Sequence, residues 1–128
     1  MPTYDETRSG SGTLARDETF DLISSQKVDG TAVFDRDGEK LGKIDHFMVG
    51  KRDGRVRYAV LDYGGFFGSS DDLYPLPWED LTYSEDKGGY SVSIDKDRLE
   101  SGNAPSFRRG EEPSWNKDYD TRIRDYYR

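Results

Sequence analysis

The 128-residue chain contains no cysteine, which excludes disulfides, thiol nucleophiles, cysteine-ligated zinc and iron–sulfur clusters. A single histidine leaves no room for a site that needs two or three imidazoles. No apolar run approaches the ~18 residues of a membrane-spanning helix. The opening residues lack the basic and then apolar order of a signal peptide, so the expectation is a soluble, cytoplasmic protein without a membrane span. Basic side chains are outnumbered, 19 against 26 acidic ones, and the resulting net charge of −7 repels phosphate at long range, which argues against nucleic acid as a partner. Hydrophobic residues make up 32% and charged residues 35%, so part of the chain adds little to any core.

Three regions follow from texture. Residues 1–19 are polar, rich in Gly, Ser and Thr, and read as a flexible arm. Residues 20–107 consist of short apolar or alternating runs separated by glycine-bearing turns, the pattern of a small all-β domain. Thr31-Ala32-Val33-Phe34 is β-favouring and ends at the turn Asp35-Arg36-Asp37-Gly38. Residues 39–49 fail strict alternation, and a bulge near Asp45 would bring Ile44, Phe47 and Val49 to one face, while Gly42 would let the strand bend. Asp53-Gly54 marks a second hairpin, leading into a central strand over residues 56–63. Pro75 and Pro77 confine their segment to a sheet edge or rim. Residues 81–83 and 90–94 make a last hairpin with Tyr90, Val92 and Ile94 facing inward, and Asp95 caps a short helical turn through Leu99.

From residue 108 to 128 the period changes from two to nearly four. Trp115, Tyr119, Ile123 and Tyr126 or Tyr127 share one helical stripe, with Ser114 as the candidate N-cap and Asp118–Arg122 as an i,i+4 pair. So short a helix is marginal alone and needs a surface for its aromatic stripe. That surface is either its own domain or a partner subunit.

The run Val28-Asp29-Gly30-Thr31-Ala32-Val33-Phe34-Asp35-Arg36-Asp37-Gly38-Glu39-Lys40-Leu41-Gly42-Lys43-Ile44 resembles the opening of the PRC-barrel domain, named for the photosynthetic reaction centre H subunit. Residues 54–61, the corner Gly64-Gly65-Phe66-Phe67-Gly68, the segment Pro75-Leu76-Pro77-Trp78 and the finish Ala104-Pro105-Ser106-Phe107 are similar to later parts of the same family, in the same order. The resemblance implies a small, strongly bent antiparallel β barrel, usually without catalytic activity, of the stand-alone bacterial type. It also raises two alternatives by analogy. One is an accessory of a membrane complex that influences photosynthetic-type electron or proton transfer, and the other is a binding role like that of a ribosome maturation factor.

No catalytic, cofactor-binding or metal-ligating set emerges. His46 lacks a partner nucleophile, and in a regular strand its neighbour Asp45 points to the opposite face. Asp35, Asp37 and Glu39 lack the spacing of a calcium loop, and a turn accounts for them better. Asp71-Asp72 read as a solvated loop, and Gly64–Gly68 lacks the lysine and following helix of a phosphate cradle. The expected function is a non-catalytic interaction or assembly module, homo-oligomeric or part of a protein complex. Its partner-binding residues are Phe66, Phe67, Trp115, Tyr119, Ile123, Tyr126 and Tyr127. As a large side chain beside two prolines at the rim, Trp78 should anchor the core, and Trp78→Ala is expected to cost about 3 kcal/mol or more, measured by urea denaturation.

Overall fold

The computed structural model describes residues 22–64 and 71–128. The expected arm, Gly65, Phe66 and Phe67 therefore lie outside the described residues. After a short helix α1 (Ser25–Val28) come strands β1 (Ala32–Phe34), β2 (Lys40–Val49), β3 (Val56–Asp62) and β4 (Asp72–Pro77). A 3-10 turn (Trp78–Asp80) leads to β5 (Leu81–Ser84) and β6 (Gly89–Val92), followed by α2 (Lys96–Glu100), β7 (Phe107–Arg108) and α3 (Lys117–Tyr127). The seven strands form one sheet in the order β5-β6-β1-β2-β3-β4-β7.

Two features of this sheet depart from an antiparallel barrel. The ladder does not close, since β5 and β7 stand at its two ends and are not paired with each other. In addition, β1 and β6 run parallel, with Val33 opposite Tyr90 and Phe34 opposite Ser91. All other pairs are antiparallel. The parallel pair is possible because a long crossover through four other strands separates β1 from β6.

The sheet is nevertheless strongly curled. Five strand spacings separate β4 from β5 in the sheet order, roughly 24 Å if it were flat. Only the three residues Trp78–Asp80 connect them, a reach of at most about 15 Å between flanking Cα atoms. The sheet must fold back on itself, and Trp78 accordingly packs on Tyr90 of β6 with ring centroids 5.3 Å apart. Irregular register supplies the curvature, because β2 slips against β1 near Leu41 and against β3 at Asp45, where an extra residue separates the pairs Ile44–Leu61 and His46–Val60.

The bulge at Asp45 turns Ile44 and Phe47 toward the main core. Val49 does not join them. A second slip between Met48 and Val49 pairs Val49 with Val56, skips Arg57, and leaves Val49 44% exposed. Gly42 serves a close approach more than a bend, since a Cβ there would sit 2.0 Å from the Asp62 carbonyl oxygen.

The main core joins Val33, Leu41, Ile44, Ala59, Leu61, Leu76, Tyr90, Val92 and Leu99. Strand β3 is buried on both faces from Tyr58 to Asp62, as befits a central strand, because Val60 belongs to a second cluster with Leu73 and Phe107, against which Met48 and Trp115 pack. Pro75 and Pro77 lie where β4 pairs only with β3, since β7 reaches only Asp72 and Leu73. The turn after β1 is held by the Asp35 carboxylate, which accepts from the backbone N–H groups of Asp37 and Glu39, both at 2.9 Å, while Gly38 has φ 85°. Gly42→Ala is expected to lower stability by about 2–3 kcal/mol in urea denaturation, because the clash is with backbone that cannot step aside.

Candidate functional site

The C-terminal segment docks on its own sheet. Helix α3 is capped by Asn116, whose side chain accepts from the Tyr119 N–H at 2.9 Å, so Ser114 is not the cap. The i,i+4 pair on the helix is Asp120–Arg124, at 3.0 Å, in place of the expected Asp118–Arg122 pair. Asp120 also accepts from the Tyr58 hydroxyl of β3, and Arg124 reaches Glu79 of the 3-10 turn. Ile123 is fully buried and Tyr127 packs against the main core. Tyr126 bonds the Ser101 hydroxyl at 2.7 Å and the Arg98 carbonyl. The hydroxyls of Tyr119 and Tyr127 are buried without a hydrogen-bond partner. Burial pushes both phenols to higher pKa.

Ahead of the helix, Trp115 covers the outer face of β3. Its ring lies 5.5 Å from Tyr58, 5.8 Å from Phe107 and 5.5 Å from Tyr119. Of the residues expected to bind a partner, Trp115 and Tyr119 thus meet beside Tyr58, while Tyr126 and Tyr127 contact each other further along α3; these four keep part of their surface accessible and Ile123 is buried. Between this aromatic group and the β2–β3 hairpin lies a cavity of about 330 Å³, lined by Met48, Val49, Arg57, Tyr58, Trp115 and Lys117, among others.

A polar network sits beside this group. The bulge overturns the expectation that Asp45 and His46 point to opposite faces, because His46 Nδ1 lies 2.7 Å from Asp45 Oδ2. Arg109, just after β7, donates to Asp45 at 2.6 Å and to Asp62 at 3.0 Å. Asp62 is only 1% exposed, so this guanidinium and its other contacts offset the cost of burying a carboxylate. On the other side of the ring, Glu112 stands 3.7 Å from His46 Nε2 and accepts from the Trp115 indole N–H at 3.1 Å. Burial raises the Asp45 carboxyl, but the hydrogen bonds from Arg109 and His46 and their charges outweigh it and hold its pKa below the ordinary range.

A histidine with a carboxylate on each ring nitrogen resembles part of a catalytic triad only in outline. Triad-type nucleophilic catalysis needs a hydroxyl or thiol at the second nitrogen, and here that place faces another carboxylate. What the network does is hold β7 and the segment leading to Trp115 against β2 and β3. Sequence reasoning missed Asp62, Arg109, Glu112 and Asp120. Only Asp62 left a local signal, a carboxylate following the run Tyr58-Ala59-Val60-Leu61.

The chain belongs to the PRC-barrel family, since the PRC-barrel domain model matches residues 20–99. A relative from Deinococcus radiodurans, an uncharacterised protein, is 33% identical over 70 residues, which is 55% of this chain and 24% of that one. The chain thus spans about a quarter of the length of this relative. Among solved structures, a putative 16S ribosomal RNA processing protein RimM from Pseudomonas aeruginosa is similar at 24% identity and a TM-score of 0.40, over 66% of this chain and 50% of that one. The family match ends before β7 and α3.

Arg109→Ala should cost about 2–3 kcal/mol at neutral pH in urea denaturation, because two carboxylates lose a charge-assisted bond. Asp45 has a lowered pKa in the folded state, so its stabilising contribution is present at neutral pH and is lost as pH falls through that value. The gap between the wild type and Arg109→Ala should therefore narrow in acid.

Proposed function

We propose that the protein is a non-catalytic protein-binding module that self-associates through the face carrying its C-terminal aromatic residues. The observation that supports this reading most is the aromatic group of Tyr58, Trp115 and Tyr119, of which Tyr58 and Trp115 line an open cavity beside the exposed Val49, with Tyr126 and Tyr127 further along the same helix. Aromatic residues of this kind bury large area at little entropic cost and are enriched at protein interfaces. Ile123, fully buried, seats the helix, while its aromatic neighbours keep accessible surface for a second protein. Phe66 and Phe67, expected from the sequence to bind a partner, lie outside the described residues.

The arrangement around His46 fits the non-catalytic reading, because the imidazole and its carboxylates are engaged with one another and with Arg109 and Trp115. Among the described residues no helix is long and apolar enough to cross a membrane.

Sedimentation equilibrium of the full chain over a wide concentration range tests the proposal. Self-association that weakens in Tyr126→Ala, with the melting temperature kept, is the expected result. A monomer at every concentration overturns it.

A further inference from the structure

The most asymmetric feature of the surface is the turn between β2 and β3. Lys51, Arg52, Arg55 and Arg57 lie there against one acid, Asp53, a net of +3 in a chain of net −7. All five side chains are exposed. Only Arg57 is held by Asp53, at 2.6 Å, and the Asp53 carboxylate also caps the Arg55 N–H at 3.0 Å, so the acid is spent on the turn itself. The turn borders the cavity of about 330 Å³, whose floor is Met48, Tyr58 and Trp115 and whose rim carries the exposed Val49 and a further cation, Lys117. The one acid in the lining, Asp120, is engaged by the Tyr58 hydroxyl and by Arg124.

We infer that this cavity and the basic turn form a docking site for an acidic peptide segment of a partner protein, with one aromatic side chain of that segment seated among Met48, Val49, Tyr58 and Trp115. The volume lies at the low end of small-ligand sites, roughly 300–1,000 Å³, which suits one side chain better than a cofactor. The cations around the mouth supply complementarity to carboxylates on either side of that anchor. The negative charge of the whole chain does not forbid this, since screening at physiological salt limits each charge to about 8 Å, and a short acidic segment senses the turn before the rest. A nucleic acid is less suited, because its continuous phosphate charge would extend from a +3 turn onto a remainder of net −10.

The inference rests on the reading of the protein as a binding module and names the partner chemistry of the same face. The probe is a fluorescein-labelled peptide of about twelve aspartate and glutamate residues around one central phenylalanine, titrated by fluorescence anisotropy against the full-length chain. Saturable binding is expected, weakened about tenfold or more when the phenylalanine is replaced by alanine, by Val49→Asp, or by the double variant Arg52→Glu/Arg55→Glu, and weakened further by added salt. Val49, Arg52 and Arg55 are all exposed, and an unchanged melting temperature confirms that the variants fold. The inference is overturned by absence of binding up to about 1 mM peptide, or by binding that neither variant reduces. It is also overturned if labelled oligothymidylate binds more tightly than the peptide, which would make the turn a nucleic-acid contact. Self-association without peptide binding would remove only this site, whereas peptide binding by a strictly monomeric chain would remove only the self-association.

Discussion

The structure depends on the shortness of one connection. Three residues must carry the chain from the sixth strand position of the sheet to the first, and a flat sheet cannot satisfy that. The curl that results encloses the main core and brings Trp78 onto Tyr90, at 5.3 Å between ring centroids. The slips along β2 belong to the same requirement, since a strand that bends this sharply cannot keep a regular ladder.

Curling leaves β3 with two faces to cover, and the second is covered from outside the part of the chain that the family match spans. Val60 meets Leu73 and Phe107, with Trp115 laid over them. The polar network works toward the same end: Arg109 binds Asp45 and Asp62, Glu112 binds Trp115, and Asp120 binds Tyr58. The charged groups here fasten the final segment to the sheet. The same fastening sets Trp115 at the cavity beside the basic turn.

Much of this was legible locally. The Asp35 and Asp53 turns, the last hairpin, the Asp95 cap and the helix after residue 113 each announce themselves through residues that only a few backbone conformations suit. The bulge at Asp45 was legible as a failure of parity, yet its consequence for His46 was missed, because Asp45 and His46 were still assigned to opposite faces as in a regular strand. Ser114 and Asn116 are both good capping residues, and residue type alone does not choose between them. The parallel β1–β6 pair left no trace, since a pairing between strands far apart in sequence is set by the global path and not by neighbours. Arg109 was illegible for the same reason: its two carboxylates lie 64 and 47 residues away.

The late position of the covering segment also bears on how the chain is made. A nascent chain of this protein can pair β2, β3 and β4 early, but the outer face of β3 stays open until Phe107 and Trp115 have emerged, and Ile123 follows later still. During that interval the apolar surface around Val60 is available to chaperones, to proteases and to neighbouring nascent chains. The segment that finishes the core therefore also ends the period in which the young protein is most open to being captured by others.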